Sequence, residues 1–178
     1  MFRQSGSPGI PTSGSGMPTL SPQRLALLQG MPIFGALNAT SIAFIESHCR
    51  NLELEAGQVI FYEGDPASSL FVLETGTAEV MKQCGPDLRR LRWLNAGDCF
   101  GEMAIVDMNP RGATVRTTTP CKAIEIPTEA LYGLYELDLE QFTLIQMNML
   151  REVSRRLRYL IEKLADSQPE MLEKASRV

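Results

Sequence analysis

Gly97-Asp98-Cys99-Phe100-Gly101-Glu102-Met103-Ala104-Ile105-Val106-Asp107-Met108-Asn109-Pro110-Arg111-Gly112-Ala113-Thr114-Val115-Arg116 is the stretch on which the fold turns. It holds a Gly-Glu pair, a short apolar turn, a Pro-Arg and a run of small residues. Such a set suits a small sugar phosphate. Gly101 has no Cβ, so a ligand can approach its backbone closely. Glu102 to Val106 suit one turn of helix, and a helix start presents unpaired N–H groups that attract an anion. Asn109-Pro110 reads as a turn. Beyond it, the Arg111 guanidinium can fork onto two phosphate oxygens. An ionised Glu102 only accepts hydrogen bonds, so it suits a sugar hydroxyl and not the phosphate.

Phe100-Gly101-Glu102-Met103-Ala104 followed by Pro110-Arg111-Gly112-Ala113-Thr114-Val115 resembles the phosphate-binding cassette of cyclic-nucleotide-binding domains. These are the domains of catabolite-activator-type regulators, cyclic-nucleotide-dependent kinases and gated channels. A second block also matches: Leu54 to Ile60, Glu63-Gly64-Asp65, Leu70 to Leu73, and Gly76. The resemblance runs from about Pro32 to Leu164. It implies an eight-stranded jelly-roll barrel with flanking helices and a cyclic nucleotide as ligand. Arg111 is expected to pair the cyclic phosphate, helped by the backbone N–H groups of Ala104 and Gly112. Glu102 and Gly101 are expected to hold the ribose 2′-hydroxyl. Phe100, Met103, Ala113, Phe71 and Val72 are expected at the pocket wall. Relatives that prefer cGMP often carry Thr directly after the Arg. Gly112 offers no hydroxyl there, which leans the choice toward cAMP, with cGMP the alternative.

Outside the cassette, composition narrows the function classes. The chain has 178 residues, 44% of them hydrophobic, and a net charge of -4. That is one ordinary domain plus extensions. The acidic balance argues against general nucleic-acid binding, which shows a basic face. Cys49, Cys84, Cys99 and Cys121 are widely spaced, and His48 is the single histidine. No metal site is expected, because zinc and iron–sulfur centres need clustered ligands. One histidine supports no catalytic set, so no catalytic residue is expected. Free thiols, no membrane-length apolar run and no secretory leader point to the cytoplasm.

Residues 1–19, rich in Gly, Ser and Pro, read as a flexible tail. Residues 20–50 read as a helical segment. Ser21-Pro22 opens one helix, and Asn38 or Thr40 caps a second. Residues 51–127 carry short apolar runs between Gly/Pro turns, the signature of strands in a sandwich or barrel. Leu88 to Asn95 read as an edge strand with mixed faces. Residues 128–166 read as helices, with Thr128 capping the first. In the second, Ile145, Met149, Val153, Leu157, Leu160 and Leu164 form one apolar stripe. Arg151, Arg155, Arg156 and Arg158 read as a solvated face, with Glu152 supporting Arg156 four residues on. Residues 167–178 read as a tail.

Together these point to a cyclic nucleotide sensor that signals through its flanking helices to a protein partner. The stripe within 138–165 admits three roles: a lid on the pocket, pairing with a second copy as a homodimer, or packing on its own barrel. DNA is not the expected partner, because about a dozen residues after Ala165 leave no room for a helix-turn-helix. Two other readings stand beside this one. The barrel serves as a scaffold with little ligand use, or the Arg-rich helix binds nucleic acid.

Overall fold

The computed structural model describes residues 20–167, with side chains described to residue 162. The expected tails at 1–19 and beyond Ser167 lie outside the described residues. Eight strands form two four-stranded antiparallel sheets. They are β1 (Arg50–Leu54), β2 (Val59–Phe61), β3 (Ser69–Thr75), β4 (Ala78–Cys84), β5 (Asp87–Leu94), β6 (Cys99–Phe100), β7 (Thr114–Thr117) and β8 (Cys121–Pro127). One sheet runs β1-β8-β3-β6 and the other β2-β7-β4-β5. This is the expected jelly roll, in which two facing sheets enclose a lumen. β5 is an edge strand, as its mixed faces predicted.

Helices α1 (Pro22–Gln29) and α2 (Ala39–His48) precede the strands, with a short 3-10 turn at Pro32–Phe34 between them. A single turn, α3 (Met103–Val106), interrupts the barrel between β6 and β7. Helices α4 (Thr128–Leu137) and α5 (Leu139–Ser167) follow it. The Ser21 hydroxyl accepts from Arg24 N–H at 3.2 Å, and Asn38 Oδ1 accepts from Ser41 N–H at 2.8 Å. Both are N-caps of the expected kind. Thr128 departs from expectation. The N-cap of α4 is Pro127, and Thr128 begins the helix with its hydroxyl donating to Ser68 O at 3.1 Å.

Two apolar cores result from the strand pleat, which sends successive side chains to opposite faces. From β3 and β8, Leu70, Val72, Ile124 and Ile126 face the helices. There they meet Leu28, Phe34, Ile42, Ile45, Leu134, Ile145 and Met149. Phe71, Leu73, Cys121 and Ala123 face the lumen, with Ala78, Leu94, Phe100 and Val115. Val72 is therefore corrected: it packs under the helices and is not a wall of the lumen.

Helix α5 ties the layers together. Asn148 Nδ2 donates to Ile33 O at 3.1 Å and to Gly35 O at 2.8 Å. Gln141 Oε1 accepts from Asn38 N–H at 2.8 Å. The apolar stripe is split along this helix. Ile145 and Met149 are fully buried against the chain's own core, whereas Leu157 and Leu160 are more than half exposed. No helix among the described residues is long and apolar enough to cross a membrane.

Candidate functional site

Arg111 is the centre of the site. It follows the Asn109-Pro110 turn and enters the barrel end with only 4% of its surface exposed. Its backbone is fixed by Arg111 N–H donating to Asp65 O at 2.9 Å and Gly64 N–H donating to Arg111 O at 2.8 Å. The guanidinium donates from Nη1 to Gly101 O at 2.9 Å and from Nη2 to Ser69 O at 2.7 Å. Its plane rests on aromatic rings, with Cζ 4.3 Å from the Phe61 centroid and 5.4 Å from that of Phe71. Nε is buried and donates to nothing among the described residues. No carboxylate there lies within ion-pair distance of Arg111. Burial pulls the guanidinium below its ordinary value, and Glu125, Asp65 and Glu102 oppose that from farther away. A buried cation without a paired anion is costly, so the arrangement suits a negative group.

The backbone around Arg111 supplies further donors. Neither the N–H of Ala104, at the start of α3, nor that of Gly112 has an acceptor among the described residues. Gly101 has φ +77°, and a Cβ there would stand 2.6 Å from Arg111 Nη1. Glycine is thus required by both conformation and space. At Gly112 the case is different, since an added Cβ would meet nothing within 4 Å.

Glu102 is completely buried. Arg156, from α5, donates through Nη1 to Glu102 Oε1 and through Nη2 to Cys99 O. The other carboxylate oxygen, Oε2, has no donor among the described residues. Burial raises the Glu102 carboxyl above its usual range, and Arg156 pulls it back. The expected support of Arg156 by Glu152 is corrected: Glu152 pairs with Arg155 at 2.6 Å. Arg156 also leaves the solvated face, and its side chain is mostly buried against the cassette. An Arg on a predicted amphipathic helix carries no local mark of such a distant partner.

Phe100 and Phe71 stack at 5.4 Å between centroids, and both line the lumen beside Arg111. Ala113 leads into β7. Met103 departs from the expected wall: it is 58% exposed on α3 and joins neither core. The side chain of Ala104 lines a groove of about 600 Å³ on the helical side of the cassette, with Ile105, Pro110, Leu131 and Tyr132. None of Arg111, Gly101 or Glu102 lines that groove. One residue at the cassette was missed by sequence reasoning. Lys82, from β4, donates to Gly112 O at 2.8 Å and to Glu63 Oε1 at 2.7 Å. The alternation of β4 past Val80 was the only available signal. Among the described residues no metal-holding group of His, Cys, Asp or Glu is gathered.

Residues 51–138 match the family model described as the cyclic nucleotide-binding domain. The chain is 29% identical over 136 residues to a CRP-like cAMP-activated global transcriptional regulator of Mycobacterium tuberculosis. That match covers 75% of this chain and 58% of the regulator. It is 32% identical over 101 residues to a cAMP-dependent protein kinase regulatory subunit of Emericella nidulans, covering 57% of this chain and 24% of the subunit. The chain thus spans little more than half of the first relative and a quarter of the second. Its fold is shared with a cyclic nucleotide-binding domain from Methylobacillus flagellatus, with a TM-score of 0.72 and 21% identity. That alignment covers 80% of this chain and 81% of the other. Over residues 51–138, then, the chain carries a cyclic nucleotide-binding domain and belongs to that family.

Proposed function

We propose that the chain is a cAMP-responsive sensor that reads its ligand at the cassette and passes the change through α5 to a protein partner. The observation that carries this reading is Arg111: a buried guanidinium whose Nε has no hydrogen-bond partner and which has no carboxylate partner among the described residues. A cyclic phosphate supplies the missing anion. Arg111 pairs it, and the unengaged N–H groups of Ala104 and Gly112 donate to it. The unpartnered Oε2 of Glu102 accepts from the ribose 2′-hydroxyl beside Gly101. Phe61, Phe71 and Phe100 give the sugar an apolar floor.

Signal transmission follows from where Glu102 sits. The residue that would read the ribose already holds Arg156 of α5. The same helix is bonded to the N-terminal segment through Asn148 and Gln141. Ligand contact at Glu102 competes for or reinforces the Arg156 contact, and α5 carries the difference. The ligand shifts the equilibrium only by its differential affinity for the two arrangements.

Calorimetric titration with cAMP, and with cGMP in parallel, tests the reading. Saturable binding with cAMP tighter than cGMP is expected. A folded sample that gives neither heat nor thermal stabilisation with either ligand would sink it. Because position 112 has open space, Gly112→Thr should fit without strain from packing. In the family this hydroxyl accompanies cGMP preference, so the variant should narrow or reverse the ratio of the two affinities. An unchanged ratio would show that position 112 does not read the base.

The exposed half of the α5 stripe fits a second copy of the chain. Val153 of the stripe is half-buried and Leu157 and Leu160 are exposed; with the neighbouring exposed Leu150 they recur at three- and four-residue spacing, and Leu157 is 58% exposed. That is the seam of a helix pair. Light scattering should give the mass of a dimer, and Leu157→Glu should shift it to the monomer. A monomeric wild type across micromolar concentrations would remove this part of the proposal.

A further inference from the structure

Lys82 stands where the function assigned above has no use for it. Strand β4 pairs with β7 so that Val80 lies opposite Val115 and Met81 opposite Thr114. Val80 and Val115 face the lumen. Continuing the alternation sends Lys82 to that same face, beside Ala113. Its ammonium is anchored at two points: Gly112 O at 2.8 Å and Glu63 Oε1 at 2.7 Å. An ammonium has three donors. The third has no acceptor among the described residues.

Glu63 is placed just as deliberately. Its N–H donates to Thr114 Oγ1 at 3.0 Å, and its second carboxylate oxygen accepts from Gln83 N–H at 3.1 Å. The hydrogen bond from Lys82 is the main cause holding the Glu63 carboxyl below its usual value. Both side chains remain partly open to solvent, at 39% and 30%. A partly open ion pair contributes little to stability. Its position matters more, because it touches the carbonyl of the residue whose N–H is free to meet an anion.

We infer that Lys82 is a second cation for the ligand's phosphate and that Glu63 moderates it. The inference rests on the cyclic nucleotide reading above. Arg111 meets the anion from the aromatic side of the pocket, and Lys82 meets it from the β4 side, across Gly112. Glu63 neutralises Lys82 while the site is empty and opposes the incoming phosphate. The two side chains therefore act on affinity with opposite signs. A purely structural strap between the β2–β3 turn and β4 would give them the same sign.

The test is calorimetric titration of the whole chain with cAMP at low and moderate salt. Thermal melts verify that each variant folds. Lys82→Met keeps the apolar stem and removes the charge. It should weaken binding about three- to thirtyfold, the range of one charge-assisted contact partly screened by solvent. It should also flatten the salt dependence, because one screened attraction is gone. Lys82→Arg should stay close to wild type. Glu63→Gln should tighten binding. If Lys82→Met binds as the wild type does, or if Lys82→Met and Glu63→Gln weaken binding together with unchanged salt dependence, the inference is overturned alone. If the folded wild type binds neither cAMP nor cGMP, the nucleotide reading falls and takes this inference with it.

Discussion

Arg111→Ala should remove most of the affinity for cAMP while leaving the fold in place. The expected loss is about 2–5 kcal/mol, the cost of leaving one member of a desolvated charge pair alone. That corresponds to roughly thirtyfold to several thousandfold in Kd. Two opposing effects bear on stability. The carbonyls of Gly101 and Ser69 lose their donors, which is unfavourable. A buried guanidinium without a counter-charge is also removed, which is favourable. The melting temperature should therefore move little compared with the affinity. Calorimetry and a thermal melt on the same sample separate the two. A variant that folds and binds cAMP like the wild type would take Arg111 out of the site.

Gly101→Ala should damage binding and stability together, with binding suffering more. The left-handed backbone at φ +77° penalises any Cβ by about 1–2 kcal/mol. For a chain of this size that amounts to a fall of roughly 2–8 °C in melting temperature. The new methyl would also stand 2.6 Å from Arg111 Nη1. The guanidinium has little room to retreat, since Phe61 lies under its plane and Ser69 O holds its other nitrogen. It must rotate away from its position beside Gly101 O and over Phe61. Affinity should fall at least about tenfold, the value of one misplaced charge-assisted contact. Unimpaired cAMP binding by this variant would mean that the observed guanidinium position is not the one that binds. The contrast with Gly112, where an added side chain meets open space, makes the pair a local control.

The unused acceptor and donor atoms share one physical basis. Glu102 Oε2, Arg111 Nε, Arg156 Nε and Arg92 Nη2 are buried without a hydrogen-bond partner among the described residues, although Arg92 Nη2 lies 3.9 Å from Asp98 Oδ2. Buried polar groups are normally paired, so each unpaired one calls for a physical reason. Two of the four belong to the cassette and one to the α5 arginine that contacts it. These three atoms lie at the junction of barrel and helix. A ligand that engages Glu102 alters the surroundings of Arg156 by direct contact, with no longer path required.

Several features followed from short-range chemistry and were legible in the sequence. The local make-up of the cassette was one: Gly101, Glu102, Pro110, Arg111 and Gly112 lie within a dozen positions, and the left-handed Gly101 and the buried Glu102 and Arg111 fall among them. A β sandwich or barrel was another, since short apolar runs between Gly/Pro turns point to one, and the resemblance of the cassette to its family narrowed it to a jelly roll. Ser21 and Asn38 acted as caps because a cap bonds an N–H only three residues away. The edge character of β5 showed in its mixture of Arg and Leu on both faces.

Tertiary structure decided whatever depended on which face or which distant partner a residue meets. Leu70-Phe71-Val72-Leu73 is apolar throughout because β3 is buried on both faces, and such a run hides its own alternation. Only the second core under the helices showed that Phe71 enters the lumen and Val72 does not. Arg156 sits among other arginines on a helix, and a contact 54 residues back to Glu102 leaves no periodic trace. Lys82 reaches Gly112 across 30 residues through strand pairing. The α5 stripe is continuous in sequence, yet packing covers Ile145 and Met149 and leaves Leu157 and Leu160 open. Local chemistry determined what the site is made of; the register of β4 against β7 and the docking of α5 determined which side chains complete it.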